Sequence, residues 1–194
     1  MRSPVSRSPA RLLDQAVAQA HALREEHDGL IAVGFGYYEL WDEHGHLKQA
    51  DAFANLITQY GDQFYGDRAA AISAPAVVTG MRLGTGGATA VAKTGAGAAI
   101  VTYTTASQVA IAGGFPTSAL SGASRRIQWK STWGAGVATA NGINEWVITN
   151  ETPITNVAGV AGNTISRAVD TGSPVNKAAS DTLDITWNHD LLGA

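Results

Sequence analysis

The chain has 194 residues, 45% of them apolar and only 15% charged, with a net charge of −3 and no cysteine. That length suits one domain with a sizeable core. The charge balance excludes an overall basic field for nucleic acid, and the missing thiols exclude disulfides and thiolate-held metals.

Residues 1–8 read as an extended arm, because Pro4 and the serines resist regular structure. No continuous apolar run follows Arg2, Arg7 and Arg11, so the segment does not read as a signal peptide. Ser8 can cap a helix that has Pro9 in its first position. Leu12, Leu13, Ala16, Val17, Ala20 and Leu23 then form one apolar stripe, and Gly29 is a natural stop. The spacing predicts a helix over residues 9–27. Its alanine-rich stripe is marginal alone in water, so it must lie on its own domain or on a neighbour.

Ile31 to Trp41 is aromatic and β-favouring, Asp42 to Gly45 supplies a turn, and Leu47 to Phe53 returns as a second strand. Asn55 to Gly66 reads as a short helix with Leu56, Ile57, Tyr60 and Phe64 on one side, although Gly61 weakens it. From Pro75 onward the character is β. Val77, Thr79, Met81 and Leu83 alternate with their neighbours, and Ala98 to Thr104 reads as a strand. Ile127, Trp129 and Trp133 alternate with Arg126, Gln128, Lys130 and Thr132.

Asn141 and Gly142 form a hairpin signal between a strand ending near Ala140 and a strand over residues 143–149. Residues 164–169 and 181–188 complete the set, the last with Leu183, Ile185 and Trp187 on one face. The small-residue segments 84–97 and 106–122 read as loops. The expected fold is mainly β. An antiparallel β-sandwich or barrel-like domain spans residues 30–194, with an N-terminal helical arm over 1–29 and one short helix. Trp129, Trp146 and Trp187 are the expected core anchors.

No catalytic constellation emerges. Residues 87–94 nearly imitate a phosphate-binding loop, but Ala92 stands where a glycine must precede Lys93, and glycines rather than a helix follow. His44 and His46 sit in a polar turn beside Asp42 and Glu43, which reads as solvated rather than metal-binding. Glu39, Glu145, Glu151 and Asp184 could supply paired carboxylates for sugar cleavage, yet their spacing does not demand it. Asn150 to Thr152 matches a glycosylation acceptor, a short pattern of little weight without a secretory signal.

Three segments together resemble small β-rich structural proteins of tailed-bacteriophage virions. The first runs from Tyr38 to Lys48, an aromatic strand with its Asp-x-x-Gly turn, and continues with Asn55-Leu56-Ile57-Thr58. The second is Met81-Arg82-Leu83-Gly84-Thr85-Gly86. The third begins with a Glu-bearing strand at Glu145 and an Arg-Ala strand at Arg167 and Ala168. It ends with a Pro-x-x-Lys turn at Pro174 to Lys177 and the final alternating strand.

The resemblance implies a virion location and a non-enzymatic capsid decoration (cement) role. It implies no cofactor or metal, homo-oligomerisation, and the major capsid protein or other virion subunits as partners. A neck, tail or tail-fibre component with a host-adhesion role is the alternative, and a hydrolase using Glu145 and Asp184 is a third reading. Nucleic acid and membrane are not expected partners. Arg2, Arg7, Leu12, Leu13 and Val17 are the expected subunit-docking residues.

Overall fold

The computed structural model describes Asp14 and residues 31–73 and 75–192. The expected docking residues Arg2, Arg7, Leu12, Leu13 and Val17 lie outside the described residues. The elements are β1 (Ile31–Trp41), β2 (Leu47–Ile57), α1 (Gln59–Ala70), β3 (Gly80–Gly84), β4 (Val109–Ala110) and β5 (Thr117–Ser121). They continue with β6 (Ser124–Trp133), β7 (Ala140–Ile143), β8 (Glu145–Thr149), β9 (Thr164–Val169), β10 (Val175–Lys177) and β11 (Thr182–Leu192). Among the described residues no helix is long and apolar enough to cross a membrane.

Nine strands form one antiparallel sheet in the order β4-β3-β8-β9-β2-β1-β11-β6-β5, and β7 and β10 pair separately. The sheet curls into a half-barrel. The curl brings the β4 edge round to β6. There the Ala112 N–H donates to the Lys130 carbonyl at 2.8 Å, and Ser131 Oγ donates to the Ala110 carbonyl at 3.1 Å. The free edge of β6 is thereby shared: residues 124–128 pair with β5, and residues 130–131 meet the β4 end.

Strand alternation decides which side chains enter the curl. Tyr38 and Leu40 stand opposite Ile185 and Leu183, and Trp187 stands opposite Trp129. Leu83 stands opposite Trp146, which stands opposite Ala168. All these side chains are buried in one core. Trp146 is its centre, stacked on Phe53 at 5.4 Å and on Tyr38 at 5.8 Å between ring centroids. Trp129, Trp146 and Trp187 are all buried, and Trp133 joins them.

The short helix is present but starts later than the sequence predicts. Residues 55–57 complete β2, and α1 begins after Thr58, whose side chain accepts from the Gly61 N–H at 3.0 Å. A capping hydroxyl at this position fixes a helix start more firmly than a loose apolar stripe does. Gly61 is there for contact. A Cβ at Gly61 would meet the Ile165 carbonyl oxygen at 2.1 Å, so only glycine lets α1 lie this close to β9.

Gly66, on the same helix, has open space around a Cβ. Gly66→Ala is expected to stabilise the protein by about 0.5–1 kcal/mol through helix propensity. Gly61→Ala should destabilise by about 1–3 kcal/mol through overpacking. Urea midpoints of the two variants must move in opposite directions; a raised midpoint for Gly61→Ala would refute the close helix–sheet packing.

Four further expectations change. Residues 98–104 do not form a strand; they follow a short 3-10 turn and make a single bridge from Tyr103 to Gly84. The N–H groups of Val101 and Thr102, which a ladder would use, donate instead to the Glu145 carboxylate. Within the expected loop 106–122 lie β4 and β5, whose small residues hide the alternation of strands. Asn141 and Gly142 are not a hairpin turn between β7 and β8. They belong to β7, which pairs with β10 through an irregular register. Gly142 has φ +73° and donates its N–H to Asn176 Oδ1 at 2.8 Å, so the positive-φ glycine bends β7 instead of reversing the chain. The Pro-x-x-Lys segment correspondingly contains β10 rather than a turn alone.

Candidate functional site

Two clusters of buried polar side chains bear on function. The first joins the second and third of the sequence segments singled out above. Glu145 on β8 and Arg167 on β9 form an ion pair, both side chains fully buried, with Nη2 to Oε1 at 2.7 Å and Nε to Oε1 at 2.9 Å. The carboxylate also accepts the N–H groups of Gly86, Val101 and Thr102. Arg167 donates to the carbonyls of Thr89, Ala90 and Gly97. A Cβ at Gly84 or Gly86 would come within 2.6 Å of Glu145 Oε2. The Leu-Gly-Thr-Gly segment therefore needs its glycines to reach the carboxylate. This cluster is a clasp that fixes residues 84–102 to the outer face of β8 and β9. Satisfying both charges this fully suits structure, and it leaves Glu145 no route to a polymer substrate.

Two of the other candidate carboxylates, Glu151 and Asp184, are engaged as well. Glu151 pairs with the buried Arg82. Asp184 accepts from Lys130 at 3.0 Å and from Thr132 Oγ1 at 2.5 Å, on the outer face of β11. Glu39 stands opposite Asp184 across β1 and β11, and burial, with Asp184 beside it, pushes the Glu39 carboxyl up. Lys93 of the phosphate-loop imitation pairs with Asp62 at 2.7 Å. His46 bonds Asp42 at 3.1 Å in an exposed turn. Among the described residues no group of three His, Asp or Glu side chains could hold a metal ion. Asn150 is 6% exposed, and its amide donates to Tyr60 Oη and the Ala76 carbonyl, so it is not open to modification.

The second cluster lies at one mouth of the half-barrel. The even-odd pattern of β11 continues past Trp187, so His189 also points inward. Its Nε2 receives the Trp187 indole N–H at 3.0 Å, and its Nδ1 lies 2.5 Å from Tyr65 Oη on α1. Asn55, with its amide nitrogen turned to His189, adds a donor to Nε2 at 3.3 Å while its oxygen accepts the Phe35 N–H at 2.8 Å. An indole N–H only donates, so Nε2 is an acceptor and the ring proton sits on Nδ1. Trp129 packs its ring edge-on at 5.2 Å from the imidazole.

Complete burial pushes His189 down to about 3, so the folded protein holds it neutral. In the unfolded chain the same group titrates near its ordinary 6.5. Its contribution to stability is therefore whole above that value and declines as pH falls toward 3, by up to about 1.4 kcal/mol per pH unit. Unfolding free energies measured across that window should fall more steeply for the parent than for His189→Gln. Equal slopes would contradict the buried neutral imidazole.

Beside this network α1 leaves a cavity of about 830 Å³. Its walls include Phe64, Tyr65 and Arg68 of α1, Ile127 and Trp129 of β6, and Leu191 of β11. Sequence reading placed Trp129 in the core but missed its partnership with Tyr65 and His189. The signal was the alternation of the last strand, which runs on to Leu192 instead of stopping at Asn188.

On the outer surface, β5 is an edge strand whose first four residues are all exposed, with Leu120 76% accessible. Comparisons with protein-family models, with curated proteins and with solved structures find no match to this chain.

Proposed function

We propose that the protein is a structural subunit of a tailed-phage virion. It acts as a capsid decoration (cement) protein that binds the major capsid protein or other virion neighbours, through its β-domain and its N-terminal arm. It works as a homo-oligomer, without catalysis or cofactor. The observation that carries this reading is the β5 edge. Its sequence, Thr-Ser-Ala-Leu-Ser, has no charge, and beyond it the sheet has no further strand among the described residues. Solitary proteins blunt such edges with charge or proline, because an open ladder recruits another strand. Pro116 and the Arg125 guanidinium, which donates to Ser118 Oγ at 2.8 Å and to the Ser118 carbonyl at 3.1 Å, guard the start of this edge. Strand addition from a neighbouring subunit therefore fits its Leu120 end, where Leu120 supplies apolar contact. Ile72, Val77, Val157 and Val160, each more than half exposed, add further apolar contact points. The structural engagement of Glu145 and Asp184 weighs against the hydrolase reading.

The test uses particles lacking the chain, mixed with purified parent protein or with Leu120→Asp. The substitution lies at an exposed site and should leave the unfolding midpoint unchanged. Bound protein per particle should fall at least about tenfold, since a charge in a desolvated contact is strongly unfavourable. Unaltered binding would remove β5 as the docking edge. A neck, tail or tail-fibre position competes with the capsid placement, and only the number and location of bound copies separates them.

A further inference from the structure

We propose that the cavity at the barrel mouth binds a small amphiphile with an apolar, ring-sized body and an acceptor-bearing head such as a carboxylate. This inference does not depend on the virion reading. The volume of about 830 Å³ falls within the range of small-molecule sites, roughly 300–1,000 Å³, and barrel mouths are among the places where such sites form. Phe64, Val78, Ile127 and Leu191 supply apolar wall.

Two side chains on the wall, Tyr65 and Arg68, offer donors. Trp129 adds ring surface only, because its indole nitrogen is closed off from the cavity. Tyr65 is the first donor. Because the His189 proton sits on Nδ1, the Tyr65 oxygen accepts that N–H. The phenolic hydrogen is then directed elsewhere, and no other partner for it occurs among the described residues. His189 thus serves as a positioning residue: it turns Tyr65 into a donor for whatever enters the cavity.

Arg68 adds a guanidinium to the same wall, held 5.5 Å from the Phe64 ring centroid and donating one N–H to the Pro75 carbonyl at 2.5 Å. The one carboxylate on the wall, Asp62, has both oxygens engaged by Lys93, at 3.0 and 2.7 Å. The wall therefore asks for an acceptor, and a ligand head provides it. A donor left unpaired at the wall is unfavourable, and an incoming acceptor relieves it.

The full-length chain should be titrated with anilinonaphthalene sulfonate, an aromatic body with an anionic head, followed by dye fluorescence and displacement by decanoate. The expected result is saturable binding at one site that decanoate competes away. Tyr65→Phe should weaken it about tenfold, the loss of one hydrogen bond to a charged head. Gly66→Leu fills space beside the cavity from an exposed helical position with room for a side chain, so it should block the dye without lowering the melting temperature. Non-saturable binding would overturn the proposal. So would affinity untouched by these substitutions, or binding lost only in Leu120→Asp.

Discussion

Trp146→Ala is expected to lower the unfolding free energy by about 3–5 kcal/mol, the range for removing a large aromatic from a packed interior. The side chain is fully buried and sandwiched between Phe53 and Tyr38, from strands two and three places away in the sheet. Removing it opens a hole that β1, β2 and β8 cannot close together, because their ladders fix their spacing. Trp146→Phe should be far milder, about 1 kcal/mol, since volume is largely kept and an indole N–H without a partner among the described residues is removed. Urea denaturation of both variants measures this. A loss for Trp146→Ala no larger than that for Trp146→Phe would mean that the stacked trio is not the centre of the core.

Glu145→Ala is expected to cost about 3–5 kcal/mol, because it strands the fully buried Arg167 without its counter-charge. Its consequences should concentrate in one place. The N–H groups of Gly86, Val101 and Thr102 lose their acceptor, so their amide exchange should accelerate far more than that of β1 or β11. Replacing both partners, Glu145→Leu with Arg167→Met, should recover part of the stability, since an apolar pair carries no unpaired charge. If the double replacement were as damaging as the sum of the single ones, the pair would not be the unit that holds residues 84–102.

Strand β1, the first part of β2, and much of β6 and β11 were legible in the sequence: β1 by its aromatic, β-favouring residues, and β6 and β11 by the alternation of large and polar side chains, whereas the pairing of β6 with β11 was not. Trp129, Trp133 and Trp187 announce a buried face by themselves. The segment around Glu145 was legible only as a motif. Its strand is buried on both faces, so period two vanishes, and the reason for its glutamate lies in loop amides far along the chain. Strands β4 and β5 escaped notice because Val109, Ala110 and Thr117 to Ser121 are too short and too small to show alternation. The helix start was misplaced because Leu56 and Ile57 satisfy strand and helix patterns equally, and the deciding feature, the Thr58 cap, is one side chain. The mouth cluster needed three dimensions: Tyr65 and His189 are 124 positions apart, and no spacing rule connects them.

We propose that this protein works by adhering to companion subunits of a virion. Quantitative mass spectrometry of tailed-phage particles purified from a culture that produces the chain tests this proposal. The chain is expected in intact particles, in a fixed ratio to the major capsid protein. A low copy number confined to neck or tail fractions would move it to the competing position. Its absence from particles, with the protein accumulating only in lysate, would rule out a virion role.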